Sequence, residues 1–577
     1  MKKLLKYFHG YKKEAVSAPL FKIIEAIFEL LVPYVVASII DDAIPSGSKS
    51  YVLGLCGVLV LLGAVGLAST LCAQYFSAKS AVGFTTNLRM ALFDHIQKLS
   101  FSDLDKRGTS TLITRLTSDL NQVQTGINLT LRLLMRSPFI VFGAMFMAFT
   151  IDTQAALIFV GVIPVLSIVV FGVMLACIPL YTKVQARLDR VLSTTRENLT
   201  GARVIRAFCR EEDETAEFTA RNEALTKTQK FVGWISGIMN PLTYVIVNFG
   251  IILLIYTGAV KVEEGVLTQG MVIALYNYMS QILVELVKLA NLIINITKSL
   301  ACARRISAVM DIVPEMTDGE IMQGDGSAPA VEFKNVTFGY NEGGDHALSN
   351  ISLTLEKGET LGIIGSTGCG KSTLVNLIPR FYDPTEGEVL VDGVPTREYN
   401  MEALRDKVGI VMQKAVMFKG TIKDNLRMGK ADATDSEILE ALTSAQAIDF
   451  VSRKEEGIDH QIEEKGRNLS GGQQQRLSIA RALIKKPEIL ILDDSSSALD
   501  YATDSKLRTA IRELSFHPAV ILVSQRVSSV MHADKILVLD DGEAVGMGKH
   551  EELLTSCPEY REIYDSQIKS EGGNAND

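Results

Sequence analysis

Six long apolar stretches crowd the first 300 residues, near 18–40, 51–76, 133–150, 155–180, 239–260 and 271–294. A helix needs about 20 mostly apolar residues to cross a bilayer. Hydrocarbon tolerates helices and closed barrels alone, because every backbone polar group must be satisfied internally. The first half therefore predicts an all-α membrane domain of six spans. The first and last stretches carry charges, and the third is short enough that its helix is expected to start earlier. Over the 577-residue chain, 47% of residues are hydrophobic and mean hydropathy is +0.21, high for a wholly soluble protein.

Loop lengths and charges orient the spans. The connections Asp41–Ser50, Ile151–Gln154 and Lys261–Gly270 are short and poor in positive charge. Those near 80–130 and 181–236 are long and carry Lys79, Arg89, Lys106, Arg107, Arg187, Arg190, Arg203 and Arg206. The positive-inside tendency places the long loops and both termini in the cytoplasm. Apolar residues recur in them at three- and four-residue spacing, so the membrane helices are expected to extend well beyond the bilayer. No cleavable signal follows the Met1-Lys-Lys start, and the seven cysteines form no CxxC pair. Cys56, Cys72 and Cys177 read as packing residues. The net charge of −8 argues against nucleic acid as a partner.

Composition changes after residue 312. Residues 313–330 read as a linker, 331–570 as a soluble α/β domain and 571–577 as a disordered tail. Apolar runs Thr360–Ile364, Val408–Met412, Ile489–Leu492 and Val520–Ser524 predict strands. Directly after the first comes Gly365-Ser366-Thr367-Gly368-Cys369-Gly370-Lys371-Ser372, followed by Thr373 and a helical run. A glycine-rich loop between strand and helix presents backbone N–H groups and a helix N-terminus to phosphate oxygens. Lys371 would reach the β- and γ-phosphates and Ser372 would ligate Mg²⁺. Asp493, closing an apolar strand, is a natural partner for the same ion.

These motifs, with Leu469-Ser470-Gly471-Gly472-Gln473, resemble the ATP-binding cassette family in its exporter order, six spans then a cassette. The resemblance implies that Ser470, Gly471, Gly472 and Gln473 bind ATP held by an opposite cassette, so the chain must dimerise. It implies adenine stacking on Tyr340, an Mg²⁺ or water contact from Gln413, a nucleotide role for Asp500 and a cross-linking-loop role for Glu464. Coupling helices are expected near Phe101–Asp105 and Gly201–Phe208. Family members usually carry Glu after the strand-ending Asp and His at the later switch; Asp494 and Gln525 stand there instead. Asp494 is one methylene short for a general base, and misplacement by about 1 Å can cost on the order of 10² in rate. Gln525 cannot change protonation near neutral pH.

The resulting expectation is an ATP-driven exporter of a hydrophobic or amphipathic substrate in the cell membrane. This half binds ATP with Mg²⁺ but hydrolyses it slowly, and its second half-transporter partner is a different chain with intact Glu and His. A lipid flippase, a homodimeric exporter and an ATP-gated channel or regulator remain open alternatives. Among substrate clues, Glu25 and Glu29 fall in the first span. Glu285 and Lys288 lie three apart in the sixth, where they can pair. Asn248 and Asn291 read as interhelix hydrogen bonders.

Overall fold

The computed structural model describes residues 2–314, 316–340 and 344–572. The chain forms two compact units. One comprises the residues up to Lys98 together with Gly108–Val313. The other joins Leu99–Arg107 to the chain from Pro314 onward.

The first unit is helical. Its long elements are Lys12–Ser38, Lys49–Gln97, Leu120–Leu133, Arg136–Ile151, Thr153–Thr200, Glu211–Glu263 and Gln269–Met310. Among the described residues, six helical segments are long and apolar enough to cross a membrane, one of them the run Thr109–Ile151 that joins several of these elements. The third apolar stretch is carried by Arg136–Ile151, and the helical segments from Thr109 lead into it across a break at Leu134–Met135. The 49-residue second helix is about 70 Å long at 1.5 Å per residue, against roughly 30 Å of hydrocarbon. The surplus is the expected extension. Phe159, Leu254, Tyr278 and Met279 lie fully buried in the unit's core. Of the three cysteines read as packing residues, Cys177 is buried, whereas Cys56 and Cys72 are exposed within this chain. Asn248 and Asn291 are also exposed within this chain. In all four cases an apolar sequence neighbourhood does not say which face of a helix turns inward.

The second unit is built on a six-stranded sheet. Its order is Glu543–Gly548, Lys535–Asp540, Thr360–Gly365, Ala519–Val523, Ile489–Asp493 and Val408–Val411, with only the first pair antiparallel. The inner strands Ile489–Asp493 and Ala519–Val523 are buried throughout, which is why they read as unbroken apolar runs. An antiparallel sheet contains Leu348–Leu355, Val331–Phe338, Glu386–Val391 and Val394–Pro395. The linker is tethered here: Gly319 and Ile321 donate their N–H groups to Tyr399 and Glu398 carbonyls. Of the expected disordered tail, the backbone of residues 571 and 572 closes the last helix, Pro558–Gly572, and 573–577 lie outside the described residues.

Candidate nucleotide site

Register assembles the site. Ile363 pairs with Val523, and Val523 pairs with Asp493, across three adjacent parallel strands. The loops leaving these strands start side by side at one edge, which is where α/β sheets bind ligands. Residues 365–372, Asp493–Asp494 and Gln525 therefore converge, the first and last of them more than 150 apart in sequence.

The helix Lys371–Leu377 begins immediately after Gly370, whose φ of 97° is left-handed. A Cβ on Gly370 would lie 2.6 Å from the Ala347 carbonyl, so the turn needs glycine for conformation and for space. Lys371 is buried and donates to the carbonyls of Gly365 (2.9 Å) and Ser366 (2.6 Å). The Ser372 hydroxyl donates to Asp493 Oδ1 at 3.1 Å. Burial pushes the Asp493 carboxyl up; the Ser372 bond opposes this and the Asp494 charge reinforces it. A hydroxyl beside a carboxylate is the hard-oxygen donor set that suits Mg²⁺.

Asp494 has a left-handed φ of 44°. Its Oδ2 accepts from Gln413 Nε2 at 3.3 Å. Gln525 Oε1 accepts from the Thr367 hydroxyl at 3.4 Å. The two unusual residues are thus each tied to an expected nucleotide residue. Tyr340 is 45% exposed and its hydroxyl pairs with that of Thr373 at 3.1 Å. Ser470 caps the helix Gly471–Leu483 with a reciprocal box: its Oγ accepts from the Gln473 N–H and Gln473 Oε1 accepts from the Ser470 N–H. Asp500 caps Tyr501–Arg512, accepting from the Thr503 N–H and hydroxyl; these bonds hold its carboxyl low. Glu464 lies in the short turn Glu464–Gly466.

Short helices form at both places where coupling helices are expected, Phe101–Arg107 and Ala202–Ala207. The first packs on the cassette: Phe101 meets Phe381 (centroids 4.6 Å) and Asp105 accepts from Tyr382. Tyr382 contacts Tyr340 edge-on at 5.4 Å.

In the membrane unit the structure gathers the span charges around Arg136, a residue the sequence reading passed over. Its guanidinium donates to Glu285 Oε1 (2.7 Å) and Glu29 Oε2 (2.6 Å) and lies 3.6 Å from Glu25. Glu285 also accepts from Ser137 and Lys288, both at 2.8 Å, so the expected Glu285–Lys288 pair forms. Lys22 pairs with Glu25. An arginine inside the third apolar stretch was the available signal.

A phosphate-binding loop and an aligned acidic strand, joined to a six-helix membrane domain, define an ATP-dependent membrane transporter. The chain belongs to the ATP-binding cassette (ABC) transporter family, as an exporter half-transporter. The ABC transporter transmembrane region matches residues 17–286 and the ABC transporter domain matches 348–497. An uncharacterized ABC transporter ATP-binding protein of Mycobacterium tuberculosis is 35% identical over 98% of both chains. An ATP-dependent lipid A-core flippase of Syntrophus aciditrophicus is 34% identical over 86% of this chain and 83% of its own. A solved bacterial Atm1-family ABC exporter with ATP bound superposes with a TM-score of 0.81, at 25% identity, over 96% of this chain and 98% of that one. The protein is thus a multi-pass inner-membrane transport ATPase with a cytoplasmic cassette, and exporters of this family act as dimers.

Proposed function

We propose that this chain is the degenerate-site half of a heterodimeric exporter of amphipathic substrates. Lys371 and the loop 365–370, with Thr373 behind them, cradle the ATP phosphates, and Tyr340 stacks on adenine. Ser372, Asp493 and Gln413 would hold Mg²⁺, which would supply positive charge against the phosphates. Ser470, Gly471, Gly472 and Gln473, with Asp500, complete the partner's composite site. The reading rests above all on Asp494. Its short carboxylate stands where a general base must reach the attacking water, and it leans on Gln413. Gln525 contacts the phosphate loop but supplies no titratable proton. The partner carries Glu and His at the matching positions and performs most of the hydrolysis that resets the transporter.

The test is ATP turnover by this chain alone in lipid nanodiscs at saturating Mg-ATP. Negligible turnover with retained nucleotide binding supports the heterodimer. Robust turnover, abolished by Lys371→Ala, replaces it with a homodimer. Lipid is the favoured class of amphiphile, because lipid A-core flippases are among the relatives.

A further inference from the structure

Arg136 is the hub of a three-armed charge network inside the membrane domain, and it is 8% exposed at its side chain. One arm, Glu25–Lys22, ends buried. The other two end in the open and with opposite signs: Glu29 is 38% exposed, and Lys288, reached through Glu285, is 45% exposed. Glu29 uses one carboxylate oxygen on Arg136, and Lys288 donates one bond, to Glu285. Arg136 Nε has no hydrogen-bond partner among the described residues although it is buried. Replacing buried ion pairs by apolar residues is often neutral or stabilising, so helix packing alone does not call for such a network. Ionisable groups at membrane depth mark functional sites by default.

Its depth is defined by chain length. Arg136 opens a helix that ends at Ile151, about 22 Å away at 1.5 Å per residue. Glu285 lies about 24 Å from the opposite start of its own helix at Gln269. Both distances run from the outer ends of the spans, so the network sits in the cytoplasmic half of the hydrocarbon. One turn outward from Lys288, Val284 is half exposed and continues the open edge with apolar surface.

We propose that this edge is a headgroup site for a zwitterionic amphiphile of the inner leaflet, a phospholipid bearing an ammonium and a phosphate. The ammonium pairs with Glu29 and the phosphate with Lys288, and the acyl chains run outward past Val284 toward the midplane. The ligand thereby bridges two charges that the protein holds apart. This inference rests on the reading of the chain as an amphiphile exporter and names its substrate class.

The test is lipid retention by the full chain in native mass spectrometry. It is titrated with phosphatidylethanolamine, with phosphatidylglycerol (phosphate without ammonium) and with a trimethylammonium diacyl lipid (ammonium without phosphate). The zwitterion is expected to bind at least about tenfold tighter than either, as one lost charge-assisted contact of about 1.5 kcal/mol implies. Glu29→Gln should erase the preference over phosphatidylglycerol, and Lys288→Gln the preference over the cationic lipid. Both positions are half exposed, and the wild-type comparison needs neither variant. Equal retention of all three lipids overturns the proposal. So does a cationic or anionic lipid held as tightly as the zwitterion, which means a site for one charge only. ATP turnover is not read, so failure here leaves the exporter reading standing, and a competent catalytic site does not affect the result.

Discussion

The phenol of Tyr382 donates a 2.7 Å hydrogen bond to Asp105 Oδ2, joining residues 277 apart in sequence. Burial raises the Tyr382 phenol far above its ordinary value, and the bond to Asp105 adds to this, so it remains a donor at any physiological pH. The same ring touches Tyr340, the residue proposed to stack on adenine. The helix Phe101–Arg107 thus belongs to the cassette's packing although the sequence embeds it between membrane helices.

Tyr382→Phe should loosen that helix while sparing the aromatic contacts. Loss of one partly exposed hydrogen bond costs about 1 kcal/mol. Amide exchange across 99–107 should quicken about fivefold, and Asp105→Asn, which keeps an acceptor, should do less.

Restoring Glu and His tests the catalytic argument directly. In Asp494→Glu with Gln525→His, turnover by the chain alone should rise on the order of 10²-fold, with nucleotide affinity little changed. An unaltered rate would place the block elsewhere than at these two side chains.

Arg136→Met should strip the shared cation from Glu29 and Glu285. Removing one partner from a buried ion network costs about 3–5 kcal/mol. The membrane domain of this variant should unfold at a clearly lower Tm in detergent, whereas Glu29→Gln, at the open end, should shift Tm little.

Asp392 predicts an acid-sensitive cassette. Its carboxyl is buried, which alone would raise it, but Lys407 (2.7 Å) and Lys357 (3.0 Å) hold it below the ordinary value. A depressed carboxyl contributes stability above its unfolded pKa and loses it as pH falls through the folded one. The Tm of the cassette should therefore decline below about pH 4, and less steeply in Asp392→Asn.

The sequence by itself determined the six spans, the cassette and the phosphate loop. Each rests on local signals: apolar length for a helix that must satisfy its own backbone in lipid, and a glycine pattern between strand and helix. It also exposed Asp494 and Gln525, because they stand at fixed offsets from those signals. Only the tertiary structure decided which side chains meet. Ser372 and Asp493 are 121 residues apart, and the register that sets them side by side comes from parallel pairing through an intervening strand, which no local pattern encodes. The helix 101–107 reads as an ordinary amphipathic turn until Phe381 and Tyr382 close on it. Arg136 reads as one charge in an apolar stretch. It becomes the centre of a network because three helices distant in sequence each turn a carboxylate or its partner to the same point, and helix facing is fixed by packing across the bundle.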